Sequence, residues 1–387
     1  MQEERQERQE RLNETERAWL NDIGSKIETK MKAQVQRIGS KIPYIPQNGR
    51  YVEDKAETDI YWWTNGFWPG MLWQMYRATG EEAYRQAAEK LEEKLDRALE
   101  GYEGLHHDVG FMWLHSAVAN YRLTGNPRSR TRGLHAANLL AGRYNPRGRF
   151  IRAWNEDCTG WIIVDCLMNL PLLYWAGRET NDPRFAAIAK DHTDTSLIHL
   201  LRPDGSSNHI AVLDPNNGEL IETPGGQGYE SGSAWSRGQA WALYGTALGY
   251  VHTGEDRYLQ ASKRTAHYFL ANVAATDFVP LIDFRAPSEP IGFDTTAGAC
   301  AACGLLELAD IVGEHEKELY LRGAIRILQA IDRRYCDWNP ERDSIVSHGS
   351  GSYHGRNDYE VPIIYGDYFL IEAVLRLQGR DLRIWGL

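Results

Sequence analysis

The stretch "YRATGEEAYRQAA", Tyr76 to Ala88, contains a pattern that returns along the chain. Related stretches are "YRLTGNPR" from Tyr121, "YVHTGEDRYLQAS" from Tyr250 and a looser copy, "YWAGRETNDPRFAAIA", from Tyr174. Each follows an apolar segment with helical periodicity and precedes an alanine-rich amphipathic segment. A threonine–glycine pair is typical of a helix C-terminus at which glycine takes the left-handed conformation. The pattern therefore predicts an internal repeat of helix, turn and helix.

Helical segments of two kinds alternate along the sequence. The more apolar ones are predicted at Gly66–Ala78, Val109–Leu123, Cys166–Trp175, Gly238–His252, Thr295–Val312 and Tyr368–Leu377. The segments that follow them carry charge on one face, as in "EEAYRQAAEKLEEKLDRAL". Helices that are apolar all round belong inside a protein, and amphipathic helices belong at its surface. The sequence therefore predicts an all-α fold, an (α/α)6 barrel or toroid of six helical hairpins.

The two ends of the chain complete this predicted ring. The last apolar segment lacks a full partner, since only "GRDLRIWGL" follows it. A helix over roughly Arg17–Ile38, within the N-terminal segment 1–40, is expected to pack on or close the ring. Residues 1–387 are then expected to form a single domain. Short strands are expected only around Gly148–Trp154 and His209–Leu213.

The overall charge limits the possible partners. The chain has 43 basic and 53 acidic residues and a formal net charge of -10, which argues against binding nucleic acid or a long polyanion. No apolar run approaches the roughly 20 residues that span a membrane, and the N-terminus lacks the apolar core of a signal peptide. We therefore expect a cytoplasmic protein, either a monomer or a weak homo-oligomer, with neither nucleic acid nor membrane as a partner.

The cysteine pattern gives no sign of a disulfide framework or a zinc site. Five cysteines are too sparse and too odd a set for a network of disulfides. Cys300 and Cys303 form a C-x-x-C within "TTAGACAACGLLELADI", which is typical of a buried helix of small residues. Because no second pair completes a tetrahedral site, we expect packed thiols. No metal and no cofactor are expected.

The starts of the six apolar helices are expected to converge, because in such a ring they lie at the same end. The residues there are Thr64, Asn65, Asp108, Asp165, Arg237, Asp294 and Asp367. An aspartate before a helix is most often an N-cap, whose side chain accepts a hydrogen bond from a free backbone N–H. We therefore expect Asp108 to cap its helix and, from the same position, to face a cavity.

Histidines and aromatic residues surround several of these helix starts. His106 and His107 precede Asp108, and Trp154 precedes Asp165. The further candidates are Trp62 and Trp63 in "YWWTNGFW", and His209, Gln227, Arg237 and Trp241 farther along the chain. Aromatic walls, two carboxylates, a cation and polar donors are typical of a carbohydrate pocket that accepts a negative group. The plainer interpretation makes the tryptophans core residues and Arg237 an ion-pair partner.

Three motifs resemble those of a known family. "DVGFMW" at Asp108, "WTNGFWPG" at Trp63 and "SAWSRGQAWALYG" at Ser233 are similar to unsaturated glucuronyl hydrolases, glycoside hydrolase family 88, and the similarity runs from about Tyr61 to Leu377. The resemblance implies an (α/α)6 barrel. It also implies that the substrate is an unsaturated uronic-acid di- or oligosaccharide, the product of a polysaccharide lyase, with a 4,5-unsaturated uronic acid at its non-reducing end.

The resemblance also assigns roles to particular residues. Asp165 matches the catalytic acid/base of the family, and Asp108 matches its second essential carboxylate, with His107 beside it. The matching substrate-binding positions are His209, Gln227, Arg237, Trp241, Trp154 and either Trp63 or Trp62. Either Arg237 or His209 is expected to face the uronate.

The expected reaction is a hydration, since the implied substrate is an enol ether. Asp165 is expected to donate a proton to C4 and then to help deliver water to C5. Asp108 is expected to hold the ring hydroxyls, and its charge would raise the proton affinity of Asp165. The carboxylate separation that distinguishes retaining from inverting glycosidases has no bearing on a hydration.

The loop from Ser347 to Glu360 precedes the sixth apolar helix and is expected to reach the next sugar. Ser350, Ser352 and Arg356 are candidates for binding a sulfate there. The alternative is a flexible, solvated Gly-Ser loop, which is common at protein surfaces.

Other functions fit the same fold. An unsaturated rhamnogalacturonyl hydrolase shares the barrel and the chemistry but acts on pectin fragments, and the "SRGQAW" segment favours the glucuronyl type. A non-catalytic carbohydrate-binding toroid would behave identically after a change at Asp165. An ordinary inverting glycosidase would cleave saturated glucuronides.

Overall fold

The computed structural model describes residues 11–386, and almost all regular structure in this range is helical. The N-terminal helix is Glu14–Ile38, and two short helices follow at Lys55–Thr58 and Trp63–Gly66. The apolar, inner helices are Phe67–Thr79, Val109–Trp113 continued by Leu114–Val118 and Ala119–Thr124, Val164–Met168 followed by Pro171–Thr180, Ser236–Thr253, Thr295–Ile311 and Ile364–Leu377. The outer helices are Glu82–Gly101, Pro127–Gly142, Pro183–His199, Asp256–Ala274 and Glu314–Tyr335.

The inner helices form a closed ring. Each contacts the next in sequence order, and Ile364–Leu377 contacts Phe67–Thr79. Each of the first five also packs against the outer helix that follows it. Helix Glu14–Ile38 lies against Ile364–Leu377, and Lys30 Nζ donates to the backbone carbonyl of Asp337 at 2.7 Å. The predicted (α/α)6 barrel is confirmed.

The repeated threonine–glycine pairs form the same kind of C-terminus on three of the inner helices. The glycines at 80, 125 and 254 have φ of 74°, 75° and 71°, a conformation that favours glycine because it has no Cβ. Thr79 donates its hydroxyl to the carbonyl of Met75 at 2.7 Å and accepts the N–H of Glu81 at 3.2 Å. Thr253 does the same with Gly249 and Glu255. The hydroxyl thus satisfies groups that a helix end leaves free.

Aromatic rings from four inner helices and the C-terminal segment fill the axis of the barrel. Phe111 lies 5.2 Å from Trp241 between ring centroids, and Trp241 lies 5.6 Å from Phe369. Phe67 lies 5.8 Å from Phe369, and Trp385 stacks on the same ring at 6.3 Å. All five residues are at most 1% exposed. This packing forms a solid floor beneath the helix starts.

Two small sheets lie at the helix-start end. Tyr144–Asn145 pairs with Phe150–Ile151, and Ile210–Leu213 lies between Trp161–Ile163 and Leu220–Glu222, all antiparallel. Ile163 is directly opposite Ile210 in the second sheet. This register places Asp165, just after one strand, beside His209, just before its partner.

The apolar lengths of the helices and the burial of the cysteines are both defined in the structure. No helix within residues 11–386 is both long enough and apolar enough to cross a bilayer. Cys300 and Cys303 are fully buried free thiols on helix Thr295–Ile311, as predicted.

Candidate active site

Asp108 and Asp165 lie at the starts of the second and third inner helices, where the side chain of Asn169 contacts both residues. The Nδ2 group of Asn169 donates to Asp108 Oδ1 at 3.1 Å and approaches the backbone carbonyl of Asp165 at 3.3 Å. Asp108 is 7% exposed and Asp165 is 9% exposed. Two acidic residues far apart in sequence therefore share one largely buried site.

Asp108 does not cap its helix, so that prediction is wrong. It occupies the N-cap position of Val109–Trp113, but within the described residues its side chain accepts no hydrogen bond from that helix. Asn169 takes over this role, because its Oδ1 accepts the N–H of Phe111 at 2.8 Å. Both oxygens of Asp108 therefore remain available for interactions outside its own helix.

Two histidines flank the Asp108 carboxyl. His106 Nδ1 and His107 Nε2 each lie 3.4 Å from Asp108 Oδ2. Burial lowers the pKa of His106 to about 4 and lowers the pKa of His107 well below its ordinary value. Both imidazoles are thus neutral at physiological pH, and neither supplies a permanent positive charge to the site.

The same three residues are the potential metal ligands of the site. Donor atoms of His106, His107 and Asp108 lie within 4.8 Å of one another. Imidazole nitrogens and a carboxylate oxygen suit zinc and other first-row metals. Bound there, an ion would occupy Asp108 Oδ2 and withdraw that oxygen from contact with a sugar hydroxyl.

The carboxyl of Asp108 is held in an environment that favours its neutral form. Burial and then the nearby charge of Asp165 raise the pKa of Asp108 well above its ordinary value, while the Asn169 hydrogen bond and Arg143 oppose this effect. The site therefore retains a proton to a higher pH than an exposed aspartate does.

His209 orients toward Asp165. Its Nδ1 accepts the backbone N–H of Gln227 at 3.0 Å, which leaves the ring hydrogen on Nε2. That nitrogen lies 3.4 Å from Asp165 Oδ2. Neither of these two buried atoms makes an aligned hydrogen bond to any residue in 11–386. Such contacts are often long in unliganded sites and tighten when a substrate binds.

Arg237 is a buried ion-pair partner, as the plainer interpretation predicted. It is 1% exposed, and its Nη1 lies 3.0 Å from Asp294 Oδ2. Its guanidinium also donates to the carbonyls of Ser350 and Gly351. Arg237 thereby fixes the loop 347–360 to the start of the fifth inner helix, which Asp294 caps through the N–H of Thr296.

Replacing Asp294 by alanine is expected to destabilise the protein strongly. The change leaves the Arg237 guanidinium buried without its counter-ion, a loss that costs about 3–5 kcal/mol. Urea denaturation followed by circular dichroism measures the free energy of unfolding. Asp22→Ala, which removes an exposed partner of Lys26, is the control and is expected to change little. Equal effects of the two changes would contradict the role given to Arg237.

The loop 347–360 packs on the segment that contains Gln227. Gln227 Nε2 donates to the carbonyl of Gly351 at 2.6 Å, and the backbone carbonyl of Gln227 accepts the N–H of Tyr353 at 2.8 Å. Ser350 is fully buried and donates its hydroxyl to the carbonyl of Phe293 at 2.9 Å. Ser350 is therefore a structural residue, and the prediction that it binds sulfate is wrong.

Of the other sulfate candidates in this loop, Ser352 is half-buried and Arg356 is exposed. Arg356 is thus the cation of this loop that faces solvent. The exposure of both residues is compatible with contact to a bound oligosaccharide.

The candidate aromatic residues occupy different places. Trp63 lies 5.4 Å from Phe111 and 5.0 Å from Tyr365, whereas Trp62 packs on Tyr44 at 5.2 Å. Trp154 lies 6.3 Å from the ring of His209. Trp63 and Trp154, both half-buried, are therefore placed beside the two carboxyl-bearing segments.

Trp241 is fully buried and belongs to the aromatic floor described above. Its ring supports Phe111, which lies in the first turn of the helix that follows Asp108. Trp241 therefore supports the site through its packing against Phe111.

Sequence reasoning missed three residues that shape the site. Asn169 links the carboxyl-bearing segments, and Trp235 lies between His209 and Arg237, 4.6 Å from the first ring and 4.5 Å from the guanidinium. Arg143 donates to the carbonyls of Ala153 and Trp154 at 3.1 and 2.9 Å. Trp235 belongs to the motif "SAWSRGQAWALYG". Asn169 had one signal, a polar residue inside the apolar run "CLMNLPLLYW".

A closed (α/α)6 barrel with two buried aspartates at its mouth, aromatic flanks and imidazole donors defines a carbohydrate-active enzyme of the glycoside hydrolase type. Comparison with known proteins agrees. The family model for Glycosyl Hydrolase Family 88 matches residues 43–281. This chain belongs to glycosyl hydrolase family 88 and is an enzyme of the unsaturated glucuronyl hydrolase type.

Individual relatives cover nearly the whole chain. The unsaturated glucuronyl hydrolase of Bacillus sp. strain GL1 is 37% identical over 383 residues, which are 95% of this chain and 98% of that protein. The crystal structure of that enzyme from Bacillus sp. GL1 has a TM-score of 0.85 at 36% identity and covers 92% of this chain and 95% of its own. The unsaturated chondroitin disaccharide hydrolase of Streptococcus pyogenes serotype M1 is 36% identical over 81% of this chain and 80% of that protein.

Proposed function

We propose that this enzyme releases 4,5-unsaturated glucuronic acid from the non-reducing end of oligosaccharides that polysaccharide lyases produce. The observation that carries the proposal is the pairing of Asp108 and Asp165, joined through Asn169, on this family's barrel. The relatives support the substrate class, since one is named a glucuronyl hydrolase and another a chondroitin disaccharide hydrolase.

Asp165 is the proposed acid and base. Its carboxyl donates a proton to C4, so that the C4–C5 double bond is consumed and positive charge develops at C5 and the ring oxygen. The resulting carboxylate removes a proton from water, whose oxygen forms a bond to C5. The hemiketal then opens by breaking the bond between C5 and the ring oxygen, and the partner sugar leaves from C1.

Asp108 is proposed to hold the sugar ring through its hydroxyls. A neutral carboxyl both donates and accepts a hydrogen bond, which matches the environment that raises the pKa of Asp108. The N–H of His209 is proposed to fix the orientation of Asp165, and His107 to contact a ring hydroxyl.

The remaining candidates are assigned by their positions. Trp63 and Trp154 are proposed as the walls of the pocket, and Trp62 as part of its outer rim. Gln227, Ser352 and Arg356 are proposed to contact the second sugar. Arg237 holds loop 347–360 with its Nη groups and is proposed to act on the site through that loop.

The test is a panel of unsaturated disaccharides made by lyases from chondroitin, hyaluronan, heparin and pectin, with saturated glucuronides alongside. We expect loss of the enol ether absorbance with at least one glucuronate-containing member of the panel. Turnover of the pectin product alone would move the assignment to an unsaturated rhamnogalacturonyl hydrolase. Cleavage of saturated glucuronides would indicate an ordinary glycosidase, and no turnover at all would overturn the proposal.

A further inference from the structure

The side chain of Asn169 connects three parts of the active site. Its Oδ1 accepts the N–H of Phe111 at 2.8 Å, while its Nδ2 lies 3.1 Å from Asp108 Oδ1 and 3.3 Å from the carbonyl oxygen of Asp165. The residue is fully buried. One planar amide thus spans the starts of two inner helices and the backbone of the proposed acid/base.

We propose that Asn169 is a positioning residue, whose amide keeps the Asp108 carboxyl and the Asp165 backbone in the relative placement that the hydration needs. This inference rests on the proposed function. It assigns to Asn169 an action through the two aspartates and no contact with the substrate.

The first argument is that Asn169, and not Asp108, caps helix Val109–Trp113. Asp108 stands where a helix N-cap belongs, yet Asn169 supplies the capping acceptor. If Asp108 capped its own helix, one of its oxygens would be committed to backbone N–H groups. Because Asn169 caps instead, Asp108 keeps its carboxyl for the site.

The second argument is steric. A Cβ added at Gly110 would lie 2.5 Å from Asn169 Oδ1 and 2.6 Å from Asn169 Cα, closer than real Cβ contacts. The second and third inner helices therefore approach each other closely at this point, and the approach requires glycine on one side. The close approach of the two helices encloses the side chain of Asn169.

The third argument is that only an amide fits all three partners. Two of the atoms facing Asn169 are acceptors, the Asp108 oxygen and the Asp165 carbonyl, and the third is a donor, the Phe111 N–H. A side chain that offers both an oxygen acceptor and an N–H donor at this length is asparagine. A carboxylate of the same shape keeps the acceptor but loses the donor.

Several titratable and charged groups surround the Asp108 carboxyl, to which the Asn169 amide donates. The titratable and charged groups that face Asp108 from the elements packed against it are His106, His107, Arg143, Asp165 and Cys166. Within this set the Asn169 amide is an uncharged donor, and its Nδ2 lies 3.1 Å from Asp108 Oδ1. Loss of that donor leaves this oxygen of Asp108 without its amide partner.

The decisive variant is Asn169→Asp, because it keeps the size of the side chain and the acceptor for Phe111. At neutral pH we expect kcat to fall by roughly 10- to 100-fold with a smaller change in KM, the effect of losing a hydrogen bond to the Asp108 carboxyl and of misplacing a reacting group. Toward acidic pH the new carboxyl becomes protonated and donates again. The kcat of the variant is therefore expected to recover at low pH relative to that of the wild-type enzyme.

The matched control is Asn120→Asp, near the C-terminal end of the second inner helix. Asn120 is 1% exposed and donates to Glu92 Oε2 at 2.7 Å, so this change also replaces an amide donor beside a carboxylate. We expect it to lower thermal stability and to leave kcat and its pH profile as in the wild-type enzyme. Asn169→Ser, a smaller change without an amide, is assayed alongside and is expected to lower kcat without the recovery at low pH.

The outcomes separate this inference from the proposed function. A wild-type enzyme that turns over no unsaturated disaccharide would overturn the proposed function itself. An active wild-type enzyme, with an Asn169→Asp variant whose kcat and pH profile are unchanged, would overturn the positioning role alone. If Asn169→Asp does not fold by circular dichroism, a wild-type kcat in Asn169→Ser would have the same meaning.

Discussion

The Asp165→Asn variant is expected to bind an unsaturated disaccharide and to turn it over on the order of 10⁴-fold more slowly than the wild-type enzyme, near the upper limit for losing a general acid/base. Asparagine has the same shape but carries no proton that it can give to C4. The same group also activates water in the next step, so both halves of the hydration are affected. Loss of enol ether absorbance measures kcat, and isothermal titration calorimetry measures affinity.

A matched control is available in the first turn of the sixth inner helix. Asp367 is also fully buried, but its two oxygens accept the backbone N–H groups of Ile345 and Val346. Asp367→Asn is expected to retain most of the wild-type kcat. Turnover by Asp165→Asn within tenfold of the wild-type rate would contradict its role, as would an equal loss in Asp367→Asn.

Asp108→Asn is expected to lose turnover by roughly 10²- to 10³-fold and at the same time to raise the melting temperature at neutral pH. The first effect follows because the Asp108 carboxyl is proposed to hold the ring hydroxyls, and an amide offers them neither an O–H donor nor a second oxygen acceptor. The second follows from the raised pKa of Asp108: a carboxyl whose pKa is higher in the folded than in the unfolded protein costs stability as the pH rises through that interval. The neutral amide removes this cost.

The sign of the effect gives a direct pH test. Below the pKa of an unfolded aspartate the Asp108 carboxyl is protonated in both states, so wild-type and Asp108→Asn should melt at similar temperatures. As the pH rises toward neutrality, the variant should become the more stable of the two, by a few degrees at most for a chain of this size. Differential scanning calorimetry at acidic and neutral pH measures this. A variant that is less stable at neutral pH would contradict the burial argument.

The fold was predictable because its signal is local and repeated. The threonine–glycine turns identify helix ends within a few residues, as Gly80, Gly125 and Gly254 show by their left-handed backbone. The apolar character of the preceding helices then indicates which of them lie inside. The interruption of the second inner helix by the π-helical turn Leu114–Val118 has no counterpart in the sequence pattern. The strands Trp161–Ile163 and Leu220–Glu222 lie outside the two predicted strand regions, so that prediction was incomplete.

The residue types of the candidate site were predictable from the sequence. The hydrogen bonds between them were less so. Asp108 and Asp165 were expected to face each other, and in the structure the side chain of Asn169 contacts the carboxyl of Asp108 and the backbone carbonyl of Asp165. The capping of helix Val109–Trp113 was predicted wrongly, because the group that caps it, Asn169, is 58 positions away from Phe111 in sequence. A rule about local neighbours cannot identify a cap supplied by another helix.

Arg237 illustrates how one residue type has two common uses. A cation near a carbohydrate site is consistent with a uronate contact, and its sequence neighbours do not reveal a counter-ion. The partner is Asp294, 57 positions later, and the carbonyls it holds belong to a loop more than a hundred positions later. Only the folded ring brings these groups together.

The most direct test of the central claim is to run the reaction in heavy water with the preferred unsaturated disaccharide and to examine the product early by NMR spectroscopy and mass spectrometry. If the Asp108–Asp165 pair hydrates the enol ether, deuterium must appear on C4 of the released uronic acid, because the proton that breaks the double bond originates from solvent through Asp165. Release of the partner sugar with the double bond intact and no deuterium at C4 would show cleavage at the anomeric carbon instead, and would contradict the account.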